Sequence, residues 1–157
     1  PENELSRMAG VALDPLTGGP VVDQWRETNV SGIFAGGNVV HVHDLVDEVS
    51  WEAEIAGASA ARFTRKEEME KEKKILKPGR NIRYVVPQTI SAQRDVTLYA
   101  RVKDMEENVI LKVGDILSKS LRVVKPGEML KIDLSLSQLQ QLKDDAVELS
   151  IESAKRR

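Results

Sequence analysis

Residues 28–38, Thr28-Asn29-Val30-Ser31-Gly32-Ile33-Phe34-Ala35-Gly36-Gly37-Asn38, decide how the first half of the chain is read. A short apolar run, Ile33-Phe34-Ala35, meets two glycines, the pattern of a buried strand that ends in a tight turn. Bare backbone at Gly36-Gly37 lets another group approach closely. Asn38 then offers a short hydrogen-bonding side chain.

Downstream, the spacing predicts one helix from about Asp47 to Lys74. Val49, Ala53, Ala56, Ala60 and Phe63 recur at three- and four-residue steps on one face. Ala53, Ala56, Gly57, Ala58, Ala60 and Ala61 make that surface small, so a close-packed neighbour is expected. Asp44, Asp47 and Glu48 suit a helix amino end, where the dipole favours negative charge. Nine of the ten residues from Arg65 to Lys74 are charged, with Glu67–Lys71 and Glu70–Lys74 in the favourable i,i+4 order. This run reads as a solvated helical extension between two bodies, ended by Pro78-Gly79. Upstream, Val11-Ala12-Leu13 and Val21-Val22-Asp23 flank the turn formers of residues 14–20, which predicts a hairpin.

From Arg80 the period changes to two. Six alternating strands are predicted, centred on Ile82–Val86, Val96–Val102, Val109–Val113, Leu121–Val123, Leu130–Leu134 and Val147–Ile151. Ser135 or Ser137 is placed to cap a short helical turn ending near Leu142. The expected core is Ile82, Tyr84, Leu98, Val102, Leu111, Leu121, Leu130, Ile132, Leu149 and Ile151. The fold class expected is α+β: a terminal hairpin or strand and long helix belonging to an α/β domain (residues 1–64), a charged helical linker (65–79) and a small antiparallel β-sandwich (80–157).

Composition narrows the function classes. The 157 residues carry 41% hydrophobic and 31% charged side chains, as a globular protein does. Aromatics are 4%, too few for a base-stacking platform. Residues 1–79 hold 14 acids and 9 bases, and residues 80–157 hold 11 acids and 14 bases. Neither half is basic enough to imply a nucleic-acid partner. No apolar run reaches the ~20 residues of a membrane span. The absence of cysteine excludes thiolate metal sites and a redox dithiol within this chain, and a cytoplasmic location is expected.

The residues from Thr28 to Asn38, together with Ala53-Glu54-Ile55-Ala56-Gly57-Ala58-Ser59-Ala60-Ala61, resemble the carboxyl-terminal FAD motif of the pyridine nucleotide-disulfide oxidoreductase family, the glutathione-reductase-like flavoproteins. That motif joins a threonine to Gly-Ile-Phe/Tyr-Ala-x-Gly-Asp and a helix carrying Ala-x-x-x-Gly-x-x-Ala-Ala. The stretch from Gly10 to Asp23 is similar to the small sheet that precedes it, and the likeness covers roughly residues 5–64. It implies that the backbone of Gly36 and Gly37 lines the ribityl chain of FAD and that Val39 also belongs to the cofactor-binding set. The family's aspartate falls on Asn38, which keeps an acceptor oxygen, gains a donor and loses the charge. The helix start facing the flavin pyrimidine edge is placed near Ser50 and Trp51. The gap from Asn38 to Gly57 is about four residues longer than the family's, and His41-Val42-His43-Asp44-Leu45 is where the extra residues are placed.

The family's Gly-x-Gly-x-x-Gly turns for the FAD pyrophosphate and for NAD(P) are missing. The resemblance therefore implies the carboxyl-terminal part of a longer FAD-dependent oxidoreductase. It would pass hydride between NAD(P)H and flavin, with the nicotinamide cofactor bound upstream. The expected partners are the missing amino-terminal domains and a further copy or a redox subunit. No catalytic residue is assigned, and the isolated chain is expected to be inactive. His41 and His43 with Asp44 have the residue types of a metal site, but a surface loop or a flavin-side polar pair is the preferred reading, so no metal is assigned. The other function class is a non-catalytic interaction or assembly module built on the sandwich.

Overall fold

The computed structural model describes residues 2–67 and 73–154. The chain is mixed α+β and divides into two compact units, Pro1–Lys71 and Glu72–Arg157.

In the first unit the predicted strands are replaced by turns pinned at single points. A short helix, α1 (Glu4–Met8), precedes them. Around the turn of residues 14–20 the pairing is reduced to the bridge Leu13↔Pro20, with Val21 N–H donating to the Ala12 carbonyl (2.9 Å). A second bridge joins Glu27 to Phe34. Arg26, at φ 66, reverses the chain ahead of it, and Asp23 Oδ1 accepts from the N–H groups of Trp25 (2.9 Å) and Glu27 (3.0 Å). Ile33-Phe34-Ala35 is therefore one bridge leading into a 3-10 turn, Gly37–Val39, rather than a full strand.

The helix α2 spans Val46–Thr64 and is shorter than its sequence pattern suggests. Lys66 adopts φ 57 and closes the helix: its N–H donates to the Phe63 carbonyl (2.9 Å), and Glu67 N–H donates to the Arg62 carbonyl (3.2 Å). This is a Schellman end built without glycine. Glu67 then clamps it by pairing with Arg62 (2.9 Å) and Arg65 (2.6 Å). Of the expected i,i+4 pairs, Lys71 and Glu70 lie outside the described residues. The inward face also differs. Glu52 and Ser59 are its buried residues, while Ala53, Gly57, Ala58 and Ala61 face outward.

The second unit holds two sheets. Strands β1 (Lys74–Pro78), β3 (Thr89–Ile90), β5 (Glu106–Val113), β6 (Leu117–Val124) and β8 (Ala146–Ser153) form one in the order β3-β1-β8-β5-β6. The other has β2 (Ile82–Val86), β4 (Val96–Val102) and β7 (Leu130–Leu134) in the order β2-β4-β7. The six predicted strands are all present. Two were not expected, and they change the architecture. β1 occupies the charged linker and pairs in parallel with β8, from Ile75↔Ala146 to Pro78↔Leu149. The larger sheet is consequently mixed, not antiparallel, and the unit begins before Arg80.

Period-two burial explains the core. Val109, Leu111 and Val113 point inward from β5, and Leu98, Ala100 and Val102 from β4. They share one buried cluster with Ile82, Ile132, Leu149 and Ile151. Leu121 and Leu130 pack at its margin, and Tyr84 is buried outside it. The short helix α3 (Leu136–Leu139) starts at Ser135, whose side chain accepts from Gln138 N–H while Gln138 Oε1 accepts from Ser135 N–H (2.9 Å). That reciprocal pair is a capping box.

Candidate functional site

The first unit is organised around one fully buried carboxylate. Glu52 sits on the second turn of α2, 0% exposed. Four donors from four chain positions converge on it. Arg26 Nη2 lies 3.1 Å from Oε1, and His41 Nε2 lies 3.3 Å from the same oxygen. Gly37 N–H donates to Oε2 (2.8 Å), and His43 Nε2 is 3.1 Å from it. A carboxylate has about four lone-pair positions, so the acceptor capacity of Glu52 is filled. Because an ionised carboxylate only accepts, both histidines must carry a proton on Nε2.

The charge balance follows from this geometry. Burial pushes the Glu52 carboxyl up, but the hydrogen bonds from His41 and His43 and the charge of Arg26 outweigh it and hold the group well below the usual carboxylate range. Burial lowers His41, against the opposing pull of Glu52. The arrangement is an Arg⁺–Glu⁻ pair with His41 held as a neutral imidazole. His41, His43 and Glu52 also bring ligand-type atoms within 4.8 Å of one another, a spacing that suits a divalent ion. The Arg26 guanidinium already compensates the carboxylate from inside that group. A second cation would have to displace N–H donors in a dry site, so we read the cluster as an internal ion pair.

The glycines of the motif have a local explanation. Gly36 is extended (φ -149), and a Cβ there would lie 2.7 Å from the backbone carbonyl oxygen of Glu52. Gly37 takes φ +73, and a Cβ there would come within 3.0 Å of Val49 Cγ1. Both residues let the turn lie directly on α2. Asn38 is exposed, and its Oδ1 accepts from His43 N–H (3.1 Å). Its acceptor is therefore used within the loop, leaving the Nδ2 donors at the surface. Val39 offers its carbonyl to Asn3 Nδ2 (3.1 Å).

The amino end of α2 lies beside this turn. Leu45 is its N-cap and makes no side-chain capping bond, and the first turn is Val46, Asp47 and Glu48. The helix thus begins four residues ahead of Ser50. Ser50 and Trp51, expected at its start, lie in the second turn and are exposed. Val42, Leu45, Val46 and Trp51 are each exposed, Val46 by 76%.

The structure thus brings Gly36, Gly37, Asn38 and Val39 together and seats them on α2. Sequence reasoning missed Glu52 and Arg26. A signal for Glu52 was available: it stands three residues after Val49 and four before Ala56, on the apolar stripe of the helix. His41-Val42-His43, equally close to the turn, pairs with that position.

Among the described residues no helix is long and apolar enough to cross a membrane. No family model matches the chain, and neither does any curated protein or solved structure.

Proposed function

We propose that this chain supplies the closing side of an FAD site in a longer, FAD-dependent pyridine-nucleotide oxidoreductase, with the β unit as an appended interaction domain. The observation that carries the reading is the Gly37–Val39 turn, which presents Asn38 to solvent and packs through the buried Gly37 against the first turns of a 19-residue helix. The first N–H groups of a helix have no intrahelical partner and suit an electron-rich ligand atom. Asp47 and Glu48 in that turn disfavour a phosphate and leave a neutral acceptor, such as a pyrimidine carbonyl, as the matching group.

Residues 1–64 carry ten acids and three bases, which fits the same assignment of the pyrophosphate to another part of the protein. Asn38 adds surface N–H donors suited to ribityl hydroxyl oxygens. Leu45, Val46 and Trp51 provide apolar surface for a ring or for a covering domain. The site is thereby re-centred from Ser50 and Trp51 to the Gly37–Val39 turn and the first turn of α2. Bound FAD would supply hydride acceptance from NAD(P)H. This chain's residues would bind and orient the cofactor.

The test is an FAD titration of three proteins: the longer protein, its Gly37→Val variant and the isolated chain. The longer protein should bind stoichiometrically. Gly37→Val should lose flavin, because a branched side chain at positive φ moves the turn off Val49. The isolated chain should bind weakly and show no NAD(P)H oxidation above free flavin. Tight binding by the isolated chain, or no binding by the longer protein, would overturn the proposal.

A further inference from the structure

Resting on the FAD reading above, we propose that Glu52 is a positioning residue that sets the flavin-side turn from behind, through Gly37 and His43. Two short paths connect it to the cofactor-facing groups. In the first, Oε2 accepts directly from Gly37 N–H at 2.8 Å, which fixes the peptide entering the 3-10 turn. In the second, Oε2 holds the His43 ring at 3.1 Å, and the His43 backbone N–H in turn donates to Asn38 Oδ1 at 3.1 Å. That bond occupies the Asn38 oxygen and leaves Nδ2 for the ligand. The Glu52 backbone completes the seat, since Gly36 leaves no room for a Cβ against its carbonyl.

Arg26 and His41 hold the other oxygen, Oε1, and so fix the plane of the carboxylate. All four donors hold that plane, so the carboxylate cannot turn without losing bonds in a dry site. Glu52 faces inward, away from any ligand at Asn38, and none of its acceptor capacity is left for substrate. Its effect on the cofactor must therefore pass through the turn.

The experiment compares the longer holoprotein with three variants, all below their unfolding temperatures: Glu52→Gln, His43→Phe and the core control Val22→Ala. Val22 is a buried apolar residue of the same unit. The readouts are the FAD dissociation constant, the visible circular dichroism of bound flavin and the Gly37 amide resonance. Glu52→Gln should weaken FAD by about tenfold or more, the cost of a lost charge-assisted hydrogen bond. It should also change the flavin dichroism and move the Gly37 amide upfield. His43→Phe keeps an aromatic ring but removes the hydrogen bond to Glu52, and should shift the same readouts by less. It carries the comparison if Glu52→Gln does not fold. Val22→Ala should lower stability and leave FAD affinity within about twofold. Unchanged affinity and dichroism in yellow Glu52→Gln and His43→Phe proteins would overturn the positioning role alone. So would an equal loss of affinity in Val22→Ala. A colourless wild-type protein would overturn the FAD reading and this inference with it.

Discussion

Truncating Glu52 to alanine removes the carboxylate that pairs with the buried Arg26 guanidinium. Arg26 is 1% exposed, so the change removes the carboxylate 3.1 Å from a buried guanidinium. Breaking a buried pair from one side costs about 3–5 kcal/mol. The same substitution strips the Gly37 N–H of its acceptor, a further loss of about 1–3 kcal/mol that overlaps the first. A unit of this size has a total stability of roughly 4–10 kcal/mol. Glu52→Ala should therefore leave the first unit close to its unfolding midpoint at room temperature, with the second unit intact. The chain reports on the two units separately. Both tryptophans, Trp25 and Trp51, lie in the first, and both tyrosines, Tyr84 and Tyr99, in the second. Trp25 is 5% exposed, so its emission moves to longer wavelength when the first unit opens. Urea titration followed by tryptophan emission gives the loss directly. A loss below about 1 kcal/mol would refute the reasoning, because it would mean that Arg26 finds equal compensation elsewhere.

Other outcomes follow from the same geometry. Gly36→Ala places a Cβ against the Glu52 carbonyl and should destabilise the first unit by about 1–3 kcal/mol, read by the same titration. The first unit should weaken on acidification. The lowered His41 gives stability that is full above its ordinary value of 6.5 and is lost as pH falls below it. Glu52 adds a second loss below 4.5, also on the acid side, so rising stability between pH 7 and 5 would contradict the assignment. Ser135→Ala removes the capping box and should cost the second unit about 1 kcal/mol, with a lower midpoint in tyrosine-detected unfolding. Residues 73–157 should fold alone, whereas residues 79–157 should not, since β1 lies between β3 and β8 inside the larger sheet. Amide dispersion in NMR spectra of the two fragments checks this, and equal dispersion would show that β1 is dispensable.

The second unit was largely legible in the sequence because each strand buries alternate residues. Val109, Leu111 and Val113 announce a half-buried strand without reference to any neighbour. β1 was not legible for the opposite reason. In Lys74-Ile75-Leu76-Lys77-Pro78 only Leu76 is buried, and the strand exists because β8 and β3 supply its partners. A parallel pairing across seventy residues leaves no local trace. The end of α2 was missed because its left-handed residue is Lys66, not glycine. Its inward face was misplaced for an electrostatic reason. Alanine spacing put Ala53 inward, but the pairing of Glu52 with Arg26, His41 and His43 holds the helix at a different rotation. A glutamate reads as solvent-facing until three distant partners converge on it. The turn at Gly36-Gly37 was legible from its paired glycines, but its packing on α2 was not. Its internal cause, close packing on the Glu52 backbone, is a property of the folded state.

The most direct test of the FAD assignment is the flavin content of the longer protein, purified without added cofactor. Its absorbance between about 350 and 500 nm and the dinucleotide released on denaturation would be measured. The assignment predicts a yellow protein that releases about one FAD per chain. A colourless protein that takes up no FAD on reconstitution would contradict it.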